Sequence, residues 1–72
     1  MNQEPQPTQD SDLPNIGQPA FRALTGEGYW RLEQLTSVAA ADLLKLHGVG
    51  PKAVRLLREA LAARGLAFKG EA

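Results

Sequence analysis

A chain of 72 residues holds one domain at most, and a core of that size leaves little room for a catalytic cleft. Cysteine is absent, which removes disulfides and thiolate metal sites, and the apolar runs are far too short for a membrane span. The formal net charge of zero averages two unlike parts: residues 1–12 carry Glu4, Asp10 and Asp12 with no basic residue, while residues 13–72 carry eight basic against five acidic groups.

The opening stretch Met1–Asp12 consists of Asn, Gln, Pro, Thr, Ser and acidic residues after Met1. It has too little apolar surface to offset ordering entropy, so it is expected to be a disordered tail, with a folded domain over 13–70. A first helix is predicted over Gln18–Glu27, where Ala20, Phe21, Ala23 and Leu24 recur at helical spacing. Pro19 is tolerated in its first turn and Gly28 stops it. Leu32–Leu35 reads as a short helical turn. Val38–Leu46 reads as a helix with Leu43, Leu44 and Leu46 apolar, and its nearest capping residue is Ser37. The last helix is the clearest: Pro51 opens it, Ala53, Val54, Leu56, Leu57, Ala60 and Leu61 form one apolar face, and Gly65 ends it. Nothing alternates like a strand. The expected class is all-α, a compact domain of four or five helices, soluble and cytoplasmic.

The chain repeats itself at an offset of 33: Leu13–Leu24 laid over Leu46–Leu57 matches Leu13/Leu46, Gly17/Gly50, Ala20/Ala53, Arg22/Arg55 and Leu24/Leu57. Ile16 faces Val49, and Asn15 faces Gly48. Asn tolerates left-handed backbone angles better than most residues, so that exchange is expected to keep the turn. Two copies of one helix–turn–helix unit would pack about a pseudo-twofold axis, each burying a face too small to stand alone.

The second copy carries the chemistry. In Leu46-His47-Gly48-Val49-Gly50-Pro51-Lys52-Ala53, the glycines permit a tight turn and close approach of a ligand to the backbone. Val49 is expected to plug the core behind that turn. The first amides of the following helix lack intrahelical partners, and the helix dipole adds positive character there, so the turn suits an anion such as a DNA phosphate. Lys52 stands one turn inside and adds a point charge. Expected DNA-facing residues are Gly48, Val49, Gly50, Lys52 and Arg55, with their repeat mates Asn15, Ile16, Gly17, Gln18 and Arg22. Arg58, three residues past Arg55, reads equally as part of that edge or as a solvated helix face.

The Leu43–Leu57 segment, apolar residues followed by Gly-Val-Gly-Pro-Lys-Ala and a helix, resembles the helix-hairpin-helix motif of DNA-binding proteins. Over 13–70 the chain resembles tandem helix-hairpin-helix domains (SAM-like), including the C-terminal domain of the bacterial RNA polymerase alpha subunit. The shared features are Ala23-Leu24, the Leu32…Leu35 turn, Asp42-Leu43-Leu44-Lys45, Gly50, Lys52 and the ending Leu61-Ala62-Ala63-Arg64-Gly65-Leu66. The resemblance implies contact with the minor-groove backbone of double-stranded DNA, phosphate contacts at Gly50 and Lys52, and an apolar core position at Tyr29. It allows a structural monovalent cation at a hairpin and implies no other cofactor. It departs at Pro19 and Arg22, where the family has a DNA-contacting arginine and asparagine, so recognition of a particular promoter element is not implied.

The functional expectation is DNA binding without sequence preference, since backbone contacts position a protein but carry no base code. The alternative is a protein–protein adaptor that uses Trp30 and keeps the hairpins for architecture. Lone His47 is expected to cap a helix end. An enzyme is not expected, because no carboxylate pair, nucleophile–base set or metal cluster is present in the sequence.

Overall fold

The computed structural model describes residues 11–71. Four helical segments and no strand occur among them: α1 (Gln18–Gly26), a 3₁₀ helix (Leu32–Ser37), α2 (Ala40–Leu43) and α3 (Pro51–Ala63). The all-α class and the placement of the helices follow the sequence reading. The Val38–Leu46 helix does not form at that length. Its N-cap is Ala39, which offers no side-chain oxygen, and Ser37 turns its hydroxyl back to donate to the Gln34 carbonyl. At its other end Lys45 and Leu46 bond three residues back, to Asp42 and Leu43, so the coil tightens instead of continuing.

Helices α1 and α3 are punctuated alike. Both carry proline in the first turn. Both end in a paired closing motif: Gly28 N–H donates to Thr25 and Tyr29 N–H to Leu24, while Gly65 N–H donates to Ala62 and Leu66 N–H to Leu61. Gly28 and Gly65 take φ of +92° and +73°, the left-handed geometry this ending needs. Between α1 and the 3₁₀ helix, Gln34 staples the chain. Its Oε1 accepts from the N–H groups of Trp30 and Arg31, and its amide donates to the Gly28 carbonyl.

The core consists of eleven buried apolar side chains and no buried polar residue among those described. α3 supplies Ala53, Val54, Leu57 and Leu61; α1 supplies Ala20 and Leu24; the 3₁₀ helix supplies Leu32 and Leu35. Leu43, Val49 and Phe68 complete it. The sequence repeat is visible in this burial, because Ala20/Ala53 and Leu24/Leu57 are buried in both copies. Leu13 and Leu46 both pack against the core partly buried. The copies are nevertheless unequal: residues 11–17 are irregular, so within the described residues the first copy is a turn and a helix, without a leading helix.

Phe68 is the residue the helical pattern did not reveal. After α3 the chain folds back, Lys69 N–H donates to the Val38 carbonyl at 3.0 Å, and the Phe68 ring is 1% exposed. Arg58 lies with its guanidinium 5.7 Å from the ring centroid and pairs twofold with Glu71 at 2.8 and 2.9 Å. Arg58 therefore clamps the C-terminal segment rather than lining a phosphate-facing edge.

The N-terminal boundary also moves. Asp12, expected in the tail, accepts from Leu32 N–H at 2.6 Å, receives a hydrogen bond from Arg64, and lies 3.6 Å from Arg31. One carboxylate thus joins the chain's N-terminal segment, the start of the 3₁₀ helix and the end of α3. The remaining tail residues, 1–10, lie outside the described residues. Burial would raise the Asp12 pKa, but the Leu32 amide, the Arg64 hydrogen bond and the two guanidinium charges outweigh it and hold the carboxyl below its ordinary 3.8. A depressed folded-state pKa contributes stability that is full above the unfolded value and fades as pH falls through the folded value.

Two outcomes test this packing. Phe68→Ala should cost about 3–5 kcal/mol, as large aromatic truncations in a core do, and leave little folded protein in a thermal melt. Asp12→Ala should cost about 1 kcal/mol, comparable to loss of a helix cap, and lower Tm by roughly 4–8 °C at neutral pH. That deficit against wild type should shrink as the pH falls below about 4, where the wild-type carboxylate is itself protonated.

Candidate nucleic-acid interface

The two turns meet. Gly48 adopts φ +98°, and a Cβ built on it would lie 2.8 Å from the Pro19 carbonyl oxygen. The backbone of the second turn therefore abuts the first turn of α1 at a distance no other residue type allows. Gly17, the N-cap of α1, has φ 90° and ψ 152°, a region reserved for glycine.

These angles correct the sequence reading of the repeat in two places. No described residue other than glycine has positive φ, so Asn15 does not take the left-handed role of its mate Gly48. Its side chain closes the first turn instead, with Oδ1 accepting from Gly17 N–H at 3.3 Å. Gly50 is extended, at φ −114° and ψ −178°, with open space where a Cβ would stand. The steric need for glycine in the second turn falls on Gly48 rather than Gly50.

Both helices start without a side-chain cap and without an acidic residue in the first turn. Their first i−4 bonds are Phe21 N–H to Gly17 and Val54 N–H to Gly50, so the earlier amides have no such intrahelical acceptor. Between the turns runs an open groove of about 440 Å³, lined by Asn15, Ile16, Gly17, Gly48, Gly50, Lys52, Ala53 and Leu56. Six of the ten sequence-predicted residues are thus brought to one place. Val49 is not among them: it is 6% exposed and acts as the expected core plug. Gln18 lines a neighbouring groove of about 510 Å³ with Leu13, Pro14 and Phe21, which shares Asn15, Ile16 and Gly17 with the first. Arg22 and Arg55 are exposed on α1 and α3 outside both linings.

The charges sort themselves by position. Arg31 and Arg64 meet Asp12, Arg58 meets Glu71, and Lys45 lies 3.4 Å from Asp42. Among the described residues, Arg22, Lys52, Arg55 and Lys69 carry no ion pair. Three of these four stand on the helices that follow the two turns. His47 is exposed beside the second turn, and Tyr29 packs partly buried against the core. Trp30 is half-buried, with its ring edge-to-face with Phe21 at 5.9 Å between centroids.

Sequence reasoning missed Leu56 as part of the groove wall and Pro19 as the contact surface for Gly48. The Gly48 contact is tertiary and leaves no local pattern; Leu56 follows Lys52 by four residues and so shares its face of α3. For a monovalent cation at the second hairpin, the Leu46 and Gly50 carbonyls each already accept an amide hydrogen, from Val49 and Val54. The fit is to partly used acceptors. Among the described residues there is no cluster of three His, Asp or Glu side chains fit to hold a metal ion, and no helix is long and apolar enough to cross a membrane.

Comparison of the chain with protein-family models, with curated proteins and with solved structures finds no match.

The steric account separates two glycines of one motif. Gly48→Ala forces a Cβ into the Pro19 carbonyl at positive φ and should cost at least about 1–2 kcal/mol, seen as a lowered urea midpoint. Gly50→Ser places a capping side chain in open space with extended backbone and should leave that midpoint unchanged or raise it.

Proposed function

We propose that this protein binds double-stranded DNA without sequence preference, presenting the helix-hairpin-helix turn before α3 and the adjacent turn before α1 to the phosphate backbone across the minor groove. The observation that carries the reading is the joined pair of uncapped helix starts at Gly17 and Gly50, with Lys52 on the groove between them. Anions favour such helix starts because the amides point outward and the dipole is positive there. Arg22 and Arg55, exposed and without an ion pair among the described residues, add cations on the two helices that follow the turns. Contacts of this kind fix register on the duplex and read no bases.

The adaptor reading has less behind it. It needs an apolar anchor on the surface, and Trp30 is half-buried against Phe21. Leu44, at 45% exposure, stands alone among the described residues as an exposed large apolar side chain.

Backbone binding by so few cations should be weak, on the order of 10⁻⁴–10⁻⁶ M near physiological salt. Lys52→Ala should weaken it and reduce the slope of log affinity against log salt by roughly one unit, with Tm unchanged. Gly50→Asp is the sharper test. A carboxylate there would cap α3 and occupy the phosphate position, so stability should hold or rise while duplex binding is lost. Undiminished binding by Gly50→Asp would contradict the proposal.

A further inference from the structure

The segment before α1 is held differently from the rest of the molecule. Among the described residues, no backbone group of residues 11–16 hydrogen-bonds another backbone group, and none of residues 11–17 is buried. Leu13 and Ile16 pack against the core only partly buried, and the eleven buried side chains that make up the core include none from this segment. Few buried contacts and no backbone pairing mark the parts of a protein that open at the lowest free energy.

Its polar tie to other elements, among the described residues, is a single side chain. One oxygen of Asp12 accepts from Leu32 N–H at 2.6 Å; the other receives Arg64 and lies 3.6 Å from Arg31. The segment's other polar bonds are internal: Leu13 N–H donates to Ser11 Oγ and Gly17 N–H to Asn15 Oδ1, both at 3.3 Å. At its far end Gly17, with φ 90° and ψ 152°, joins it to α1 through the most conformationally free residue type. The contact of Gly48 with Pro19 lies on the α1 side of that joint.

We infer that residues 11–17 form a strap that opens as a unit on a Gly17 hinge while the helices stay folded, with the Asp12 carboxylate as its latch. Asn15, Ile16 and Gly17 line both grooves beside the turns. Opening therefore takes the common wall from the two grooves and leaves the joined starts of α1 and α3 in place. The latch closes on groups from two other elements, Arg31 and Leu32 at the start of the 3₁₀ helix and Arg64 at the end of α3, so the strap registers the packing of both.

Native-state hydrogen exchange of the full-length protein, followed by NMR at urea concentrations below the unfolding transition, tests this. The Leu32 amide, which donates to the latch, reports opening of the strap; the Leu57 and Leu61 amides inside α3 report unfolding of the core. In wild type, Leu32 protection should be at least about tenfold below that of the α3 amides and nearly independent of urea, because opening exposes little surface. Asp12→Ala should lower Leu32 protection by about fivefold or more. Ile16 stands four residues along the strap from Asp12, and Ile16→Ala should lower Leu32 protection as well, because a unit that opens together shares its packing and its latch. Equal protection and equal urea dependence of Leu32 and the α3 amides in wild type overturn the inference, whether or not the variants fold. Unchanged Leu32 protection in Ile16→Ala also overturns it, since the carboxylate would then release without the strap.

Discussion

Everything that gives this protein a defined face depends on the contact between Gly48 and the Pro19 carbonyl. A small domain buries little, so two weakly stabilised turns would ordinarily sit wherever loop entropy left them. Here the absence of a side chain at Gly48 lets one turn rest on the backbone of the other, and the starts of α1 and α3 are held together as a consequence. Val49, immediately after, is driven into the core and pins the second turn from below. The groove between the turns is thus a by-product of close backbone packing, and the helix starts beside it carry the amides that two proline-started, uncapped helices leave without an i−4 acceptor.

The electrostatics divide the molecule in the same sense. At the end where α3 stops, Asp12 gathers two guanidinium groups and an amide, and Glu71 takes Arg58, so the carboxylates engaged there neutralise the neighbouring cations and tie down both terminal segments. Toward the turns, Arg22, Lys52 and Arg55 remain unpaired. A protein with zero formal charge can in this way keep cations unpaired near the turns, because three of the four ion pairs among the described residues engage Asp12 and Glu71 in the terminal segments.

Much of the fold was legible in the sequence. The apolar faces of α1 and α3, their proline starts and their glycine stops are local signals with direct physical causes, and the repeat at 33 residues anticipated which alanines and leucines are buried in both copies. What was not legible is what tertiary contact decides. Phe68 lies beyond the last helical pattern and reaches the core because the chain folds back. Asp12 resembles the polar tail it ends, and its partners are 20 and 52 residues away. The Asn15/Gly48 exchange was misread for a related reason: local tolerance of left-handed angles suggested equivalence, but the close contact that demands φ > 0 exists in one turn. The candidate site was read residue type by residue type, and six of its ten members do converge. Gly50 is not a steric necessity; it occupies the N-cap position of α3 and leaves that helix start without a side-chain cap.

The central claim is that the joined turns are the surface that meets DNA. Chemical-shift mapping of the amide resonances on adding an arbitrary short duplex tests it most directly. The account predicts shifts concentrated at Asn15–Gln18 and Gly48–Lys52, growing as salt is lowered. Shifts confined to Tyr29–Leu32, or none at millimolar DNA, would contradict it.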